Sequence, residues 1–467
     1  MSDGSGKAST SRWSDLVAAD HLFATITISL GIVLFAFNAF VVSTALPTAV
    51  KDLGNAHLLP WATSIYLIFA IVSGVAGAPA MHRFGARAMF MAAAVAFIVG
   101  TILCGAAPSM PVLLAGRAFQ GIGGGAIEAG CYVLIPRLFP PRLIPKVFGV
   151  EAAAWAVAAF GAPALSGYLA EAVSWRAALL SALPLALVFV ALIPVVVRDD
   201  MEEGTAPSLP AATLAAIAAG MALVMAADTA AGPAMKAAVL ALAILVFWTT
   251  VAIDRRAPKR LLPKGAFGLS SPMGLGLWVV LLMPLAEGSV TVYLVYTLQY
   301  LWGYTPFEAG LLTIIIAVTW SGLQMGTAHV STPARRLVFC WLGAALQVAG
   351  LVFLVLALRF ESLAFMIAAL SAIGSAFGVT WGAVSQVTME AAPAEERDLT
   401  SGLVPTMWSA GYGIGAAMFG VLGNALGFAD ASGDALRHVM EIVFVVACIP
   451  ALAAVAAALR IAALARR

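Results

Sequence analysis

The segment Leu113-Leu-Ala-Gly-Arg-Ala-Phe-Gln-Gly-Ile-Gly-Gly-Gly-Ala-Ile-Glu128 places an arginine and a glutamate inside what is otherwise a typical membrane-spanning helix. A charge at the centre of such a helix costs about 2.5–3.5 kcal/mol on insertion scales, so it should face a polar cavity. On one helix, Arg117, Gln120, Gly124 and Glu128 fall at i, i+3, i+7 and i+11 and share one face. This face is a candidate path for a solute or a proton through the bilayer.

The composition indicates an all-α integral membrane protein. The chain of 467 residues is 62% hydrophobic and 10% charged, whereas an average soluble domain is about 25% charged. A soluble protein of this composition would expose large apolar patches. The net charge of +2 gives no reason to expect nucleic-acid binding. The cysteines lie in apolar runs without metal-ligand spacing, which predicts small core residues and no metal site; they are Cys104, Cys131, Cys340 and Cys448.

Apolar runs between turn signals predict fourteen membrane spans, since a hydrocarbon core about 30 Å thick needs about 20 apolar residues per helix. The predicted spans are 23–49, 58–81, 86–107, 111–136, 146–172, 176–197, 211–228, 233–254, 272–302, 307–328, 336–358, 361–390, 398–426 and 436–463. The spans at 211–228 and 233–254 are separated only by the short Ala-Gly-Pro turn at 231–233.

The distribution of lysine and arginine predicts which side each loop occupies. With the N-terminus inside, nineteen of the 25 basic residues fall in cytoplasmic segments and five fall in outer segments. The remaining basic residue is Arg117, inside the membrane. This asymmetry follows the positive-inside rule, and an odd number of spans would mix the two sides. We therefore expect cytoplasmic N- and C-termini in a multi-pass protein of the bacterial inner membrane.

A weak internal repeat predicts the domain organisation. The turn at 86–90, Ala-Arg-Ala-Met-Phe, is similar to the turn at 334–339, Ala-Arg-Arg-Leu-Val-Phe, and both enter a helix rich in small residues. Two packed repeats around a central site are typical of secondary transporters, and the chain has no Walker A loop for ATP. The predicted units are a tail at 1–20, a six-helix bundle at 21–197, inserted helices with flanking loops at 198–271, and a second six-helix bundle at 272–467.

Several segments resemble motifs of the major facilitator superfamily, specifically its fourteen-helix drug:proton antiporter branch. They are Leu113 to Gly123 in span 4, Ala45-Leu-Pro47, Arg83-Phe-Gly85-Ala-Arg87, Gly161-Ala-Pro163 through Gly167 with Ser174-Trp-Arg176, and Leu298 to Tyr304 with Glu308-Ala-Gly310. The resemblance implies the major facilitator fold, with two six-helix bundles plus two inserted helices. It also implies a monomeric transporter of a small organic solute and protons, without enzymatic activity or a cofactor.

Three positions depart from the pattern of that family. The family usually has an aspartate in span 1 where this chain has Asn38, and an aspartate in the loop after span 2 where it has His82. The span-5 motif has Ala162 instead of glycine. Because an amide cannot cycle a proton, the usual carrier group is missing from its usual place.

Three acidic residues away from helix ends are candidates for proton coupling: Glu287, Glu128 and Glu151. Glu287 lies fifteen residues into span 9, about 22 Å along its axis and near the bilayer midplane. Such a carboxyl group can load and release a proton as a cavity changes its exposure. We expect Glu287 or Glu128 to replace the missing aspartate. Alternatively, Glu128 pairs with a cytoplasmic arginine such as Arg137, and Glu151 reaches the lipid headgroups.

A solute cavity needs apolar and aromatic walls with a few polar groups. The candidates for contact with the substrate are Arg117, Gln120, Asn38, Tyr293, Tyr296, Trp381 and Trp408, and Tyr412 could face the same space. Alternatively, Arg117 only clamps helices by bonding to backbone carbonyls. The candidates for conformational gating are Arg83, Gly85 and Arg87 in a loop, and Gly161, Pro163 and Gly167 in span 5.

The sequence therefore predicts a transporter that works by alternating access and exports an organic solute in exchange for protons. Uptake of a small metabolite or vitamin-like compound by the same fold is the main alternative. A lipid-translocating facilitator or a membrane sensor without transport activity is a further alternative.

Overall fold

The computed structural model describes residues 13–140, 142–197, 211–230, 232–256, 262–327 and 332–465. Of the predicted cytoplasmic segments, residues 1–12, 198–210, 257–261 and 466–467 lie outside the described part of the chain. The α-helices are α1 (Ala19–Leu53), α2 (Leu59–Phe84), α3 (Ala86–Gly105), α4 (Met110–Leu138), α5 (Ile144–Ala172), α6 (Trp175–Leu180), α7 (Leu183–Val196), α8 (Ala211–Thr229), α9 (Gly232–Arg256), α10 (Pro272–Tyr300), α11 (Pro306–Thr327), α12 (Pro333–Phe360), α13 (Leu363–Glu390), α14 (Arg397–Ala425) and α15 (Gly433–Leu464).

Proline and glycine set several of these helix boundaries. Pro272 and Pro333 begin α10 and α12, where the missing N–H group of proline costs no helical hydrogen bond. Gly85 alone separates α2 from α3, with φ at 87°, a conformation that favours glycine. Predicted span 6 is broken into α6 and α7, and Pro184 lies in the first turn of α7.

Two groups of helices share one pattern of neighbours. In residues 19–196, α1 packs against α4 and α5, and α4 packs against α2 and α3. In residues 272–464, α10 packs against α13 and α14, and α13 packs against α11 and α12. Helices α10 to α14 thus repeat the arrangement of α1 to α5, as the similar turns suggest. We call these groups the N-half and the C-half; the exact domain boundaries stay a prediction.

Twelve candidate spans in the described part of the chain are long and apolar enough to cross a membrane. They match the predicted spans except those at 211–228 and 398–426. Helices occupy both of these positions, but the apolar part of α8, Ala215–Thr229, is short, and α14 is outside the twelve. Helix α14 packs against α10, α2 and α8, so protein surrounds it on several faces and it needs a less apolar surface. The count of fourteen crossings and the sides of the termini stay predictions.

The two inserted helices form a hairpin beside the seam between the halves. Helix α8 packs against α14 and α2, whereas α9 packs against α8. Met221 of α8 is buried and lies where α2 and α14 meet: a Cβ atom at Gly413 would lie 2.7 Å from its Cε and 3.3 Å from Cβ of Leu67. The hairpin therefore covers this seam through α8.

The halves contact each other at one end of the bundle, which we call the joined end and which holds residues 44–67, 160–172, 293–310 and 413–428. There the Tyr300 hydroxyl donates to the carbonyl of Pro47 over 3.1 Å, and the Ser64 hydroxyl donates to that of Gly413 over 3.2 Å. Helices α5 and α11 also meet there. Helix α1 begins and α15 ends at the other end, which we call the opposite end.

Candidate functional site

Arg117 is buried in the N-half, and its guanidinium group donates to oxygens on α2 and α4. It is 2% exposed. Its Nε donates to the carbonyl of Ala62 on α2 over 3.0 Å, and its Nη1 donates to Oε1 of Gln120 over 2.7 Å. The guanidinium carbon lies 4.1 Å from the centre of the Tyr66 ring, a cation–π distance. Among the described residues no carboxylate pairs with Arg117, so these oxygens and the ring balance its charge.

Gln120 extends this network from α4 to α3. Its Nε2 donates to Oγ1 of Thr101 over 3.1 Å, and the Thr101 hydroxyl donates to the carbonyl of Phe97 over 2.8 Å. The network thus ties α2, α3 and α4 together, which agrees with the interpretation of Arg117 as a helix clamp. Contact of Arg117 or Gln120 with a substrate stays a prediction.

Asn38 is buried on α1 close to the same network. Its side chain is completely buried, and neither Nδ2 nor Oδ1 forms a hydrogen bond of good geometry, although the Tyr66 side chain lies close enough to interact with it. The neighbouring Tyr66 hydroxyl donates to the carbonyl of Phe35 over 3.4 Å. An unpaired buried polar group costs about 1–3 kcal/mol, so a polar group of a ligand or a water molecule that reached this amide would be bound favourably.

Five aromatic side chains from α11, α13 and α14 form one group, which we call the aromatic cluster: Trp320, Phe377, Trp381, Trp408 and Tyr412. Trp408 is at its centre, with ring centroids 4.5 Å from Trp381, 5.0 Å from Phe377, 5.6 Å from Trp320 and 5.8 Å from Tyr412. All except Phe377 are only half-buried. Their free ring surface can contact a further planar or apolar molecule.

Two members of the aromatic cluster, Trp320 and Phe377, were not predicted from the sequence. Trp320 lies inside α11, fourteen residues after its start and seven before its end, whereas tryptophans of membrane proteins concentrate near the membrane–water interfaces. Its position away from both ends of the span was the signal that could have identified it. Phe377 gave no such signal, because a phenylalanine in an apolar helix is common.

Glu287 lies beside the aromatic cluster on α10. It is 4% exposed, and its Oε2 is buried without a hydrogen-bond partner. Helix α10 packs closely on α14 here, since a Cβ atom at Gly288 would lie 2.5 Å from the backbone nitrogen of Ala416. The segment of α14 that carries Tyr412 faces this part of α10, since Cβ atoms at Gly411 and Gly415 would lie 2.4 and 2.2 Å from the carbonyl oxygens of Leu281 and Leu285. The structure thus combines a buried, incompletely paired carboxyl group with an aromatic surface.

Glu128 and Glu151 lie together in the N-half. The Ser29 hydroxyl donates to Oε1 of Glu151 over 3.0 Å, whereas Oε2 is buried without a partner. Glu151 is 2% exposed, so its side chain is buried in this state, and its role in proton coupling stays a prediction. The half-buried Glu128 and the buried Glu151 both lie near the Tyr132 hydroxyl. Neither carboxyl group adjoins the aromatic cluster, which lies in the C-half.

Tyr293 and Tyr296 lie apart from the two predicted tryptophans. Both rings pack against Phe428, with centroids 4.8 Å apart in each case. The Tyr293 hydroxyl donates to the carbonyl of Phe419 over 3.3 Å, and Tyr296 stacks on Tyr300 at 4.3 Å. These tyrosines therefore fill the joined end, and the structure does not bring them to the aromatic cluster.

The predicted gating residues fall at two places. Near the opposite end, Arg87 donates from Nε to the carbonyl of Val197 over 3.2 Å and from Nη2 to that of Pro194 over 3.3 Å. These bonds link α3 to the C-terminus of α7. Gly85 forms the turn before α3, and Arg83 is exposed on the last turn of α2. Gating by these residues stays a prediction.

The predicted gating residues in α5 differ in their surroundings. A Cβ atom at Gly167 would lie 2.6 Å from the carbonyl oxygen of Pro306 on α11, and one at Gly310 would lie 2.6 Å from that of Pro163. Pro163 and Gly167 therefore form the contact between α5 and α11 at the joined end. Gly161 has open space around its Cβ position.

Comparison with known proteins gives consistent matches. The model of the Major Facilitator Superfamily matches residues 28–416. A "Probable multidrug-efflux transporter" of Mycobacterium tuberculosis is 30% identical over 425 residues, which are 87% of this chain and 89% of that protein. "Multidrug resistance protein 3" of Bacillus subtilis is 30% identical over 158 residues, 34% of this chain and 31% of that protein.

Solved structures share the fold at low sequence identity. A peptide transporter in complex with sulfate has a TM-score of 0.65 at 15% identity, and the match covers 95% of each chain. A D-xylose–proton symporter has a TM-score of 0.61 at 18% identity, over 92% of this chain and 96% of that one.

Proposed function

Because this chain belongs to the major facilitator superfamily, it is a multi-pass membrane transporter and not an enzyme, and we propose that it exports planar or amphipathic organic compounds in exchange for protons. The name of the relative that is 30% identical over most of both chains supports export. The aromatic cluster beside Glu287 is the observation that carries the proposal, because it offers both an apolar wall and a group that can bind a proton.

We infer that the transporter works by alternating access and that the structure is its inward-facing state. The inference joins two observations. The lysine and arginine distribution predicts that the opposite end lies in the cytoplasm. The hydrogen bonds between Tyr300 and Pro47 and between Ser64 and Gly413 hold the halves together at the joined end. If α8 and α14 both cross the membrane, giving fourteen spans, the joined end faces outward and closes the outer entrance.

We propose that the substrate lies against the aromatic cluster. Trp408 and Trp381 are half-buried and meet at 4.5 Å with a large angle between their rings. Such an arrangement offers one ring face and one ring edge to a flat ligand. A cationic ligand gains further from the ring faces and from an ionised Glu287 nearby. This chemistry favours aromatic and amphipathic cations over sugars.

We propose that a proton and a cationic substrate compete for the carboxyl group of Glu287, which couples their movement in opposite directions. When its carboxyl group is ionised it attracts a cationic substrate, and when it binds a proton from the outer side this attraction is lost. A proton entering from outside and a substrate leaving thus use the same group in alternation. Glu128 and Glu151 are secondary candidates, since they are buried but lie in the other half of the protein.

The proposal is tested with purified protein in liposomes. An imposed pH gradient should drive a fluorescent aromatic cation across the membrane, and dye uptake should be accompanied by proton counterflow reported by a trapped pH indicator. Glu287→Gln should abolish dye accumulation driven by the gradient and should weaken dye binding without abolishing it, because the aromatic cluster still contacts the dye. The matched control is Glu171→Gln, since Glu171 is exposed at the end of α5, and it should transport like the wild type.

The outcomes separate the candidate carboxyl groups. Loss of coupling in Glu128→Gln or Glu151→Gln, but not in Glu287→Gln, would move the carrier to the N-half. If all three variants keep full gradient-driven transport, proton coupling through these acids is wrong. Direction is tested in cells, where deletion should raise dye retention; a growth defect relieved by an external nutrient would instead indicate uptake.

A further inference from the structure

The inserted hairpin carries a buried carboxylate that the proposed transport cycle does not use. Asp228 lies on the last turn of α8, at the joined end, and its side chain is 5% exposed. A buried carboxylate needs several donors to offset its lost hydration. The source of these donors shows what the hairpin does.

The donors come from both halves of the transporter. From the N-half, Nε1 of Trp61 donates to Oδ2 of Asp228 over 3.1 Å. From the C-half, Nδ2 of Asn424 approaches Oδ1 and Oδ2 at 3.0 and 2.9 Å. The same Nδ2 lies 2.8 Å from the carbonyl oxygen of His57, at the entrance to α2. One carboxylate thus binds α2 and α14, which belong to different halves, at the same point.

The hairpin supplies its own counter-charge to this carboxylate. Lys236 on α9 donates from Nζ to the carbonyl of Asp228 over 2.6 Å, and Nζ lies 4.0 Å from Oδ1. These contacts stay within the hairpin, so they would survive separation of the halves. The bonds to Trp61 and Asn424 would not both survive, because their donors would move apart.

A second contact on the same face of α8 holds the hairpin in place. Met221 precedes Asp228 by seven residues, two helical turns, so both side chains project from one side of α8. Met221 is buried against Gly413 and Leu67, which again come from different halves. Helix α8 therefore bridges the seam at two levels.

We propose that the hairpin α8–α9 keeps the joined end closed and that Asp228 makes the bonds that do so; we call this arrangement the lock. The lock holds the halves together in the state described here and must release before the joined end can open. This inference rests on the alternating access of the proposed function, and it adds an element outside the two repeats that controls the conformational balance.

The test measures opening of the joined end directly. Thr48 lies on α1, where its hydroxyl donates to Oε1 of Gln299 on α10 over 3.3 Å, away from the hairpin. In the full chain carrying Thr48→Cys, a membrane-impermeant maleimide applied from the outer side should react slowly. The background reaction is set by the protein without this change, in which Cys104, Cys131 and Cys340 are buried and Cys448 is half-buried. Adding Asp228→Asn should accelerate the reaction at least about tenfold, because the bonds to both halves lose the negative charge and one of the two acceptor oxygens becomes a donor group.

Two further variants distinguish a lock from general damage. Asp228→Asn combined with Asn424→Asp places the carboxylate on the opposite partner and restores a charge-assisted bond across the seam. It also removes the donor to the carbonyl of His57, so the reaction should return only part of the way toward the wild-type rate. Lys236→Met removes the counter-charge of Asp228 but leaves the bonds to Trp61 and Asn424 in place, so it should accelerate the reaction much less than Asp228→Asn. An unchanged rate in Asp228→Asn, or an equal acceleration in Lys236→Met, would overturn the proposal.

A milder variant covers the case in which Asp228→Asn does not fold. Trp61→Phe removes one donor and keeps the aromatic ring, so it should accelerate labelling to a smaller extent, and wild-type labelling would count against the lock. The labelling needs no transported compound. A failure of dye export in liposomes would therefore refute the proposed function without affecting the lock. Unchanged labelling in the Asp228 variant would refute the lock without affecting dye export.

Discussion

A close approach of two helices in the N-half, α2 and α4, allows a sharp test of the packing. Gly125 of α4 lies against α2: a Cβ atom there would lie 2.1 Å from the carbonyl oxygen of Ala70 and 2.5 Å from its Cα. Since ordinary contact begins at about 3.4 Å, Gly125→Ala forces the two helices apart by about 1.3 Å. Backbone atoms cannot turn aside as a flexible side chain can, so we expect a cost of about 1–3 kcal/mol.

Gly161 provides a control with the same chemical change and the opposite expected sign. It lies inside α5, and no atom is within 4 Å of its Cβ position. Replacing a helical glycine by alanine in open space stabilises a helix by about 0.5–1 kcal/mol. Gly161→Ala should therefore raise the melting temperature of the protein, whereas Gly125→Ala should lower it.

Thermal unfolding of the two purified variants in one detergent, followed by circular dichroism, checks this prediction. Gly125→Ala should also weaken transport, because separation of α2 from α4 stretches the bond between Arg117 and the carbonyl of Ala62. Gly161→Ala should keep transport unless Gly161 is a gating residue. Equal melting temperatures, or a more stable Gly125→Ala, would refute the close packing of α2 on α4.

Two further predictions concern side chains. Trp408→Ala should weaken binding of an aromatic cation by about 1 kcal/mol or more, roughly fivefold, as measured by titration calorimetry. The matched control Trp248→Ala changes an exposed residue of α9 and should bind the cation normally. Equal binding by both variants would exclude the aromatic cluster as the binding surface. Arg117→Lys should destabilise the protein by about 1.5–3 kcal/mol, because a lysine cannot donate in two fixed directions, and an unchanged melting temperature would contradict the clamp formed with Ala62.

The positions of the helices could be predicted because the signals are local. An apolar run of about 20 residues is needed for any crossing, and proline or glycine marks its ends, as Pro272 and Gly85 show. The internal repeat was visible in the two similar turns. The break between α6 and α7 was missed, because two helical pieces with one continuous apolar sequence resemble a single span.

The candidate site was predicted only in part, because its geometry depends on contacts between distant segments. Trp381 and Trp408 meet as expected, but helical spacing also suggested that Tyr293 shares their surroundings. Helical spacing predicts on which side of its own helix a residue lies, but it does not predict which neighbouring helix that side contacts. Asp228 was missed for a similar reason. At the end of a predicted span it resembled an ordinary interfacial carboxylate, and its partners Trp61 and Asn424 are 167 and 196 residues away.

The network around Arg117 has a consequence for measuring motion in this protein. Bonds and close packing join α2 to α4, so a distance between probes on these two helices should stay constant through the cycle. Helix α2 also meets α14 at the joined end. The distance between one spectroscopic label on α2 and one on α14 would then report the displacement of an entire half. The distance between labels on α2 and α4, which should not change, would be the control for this measurement.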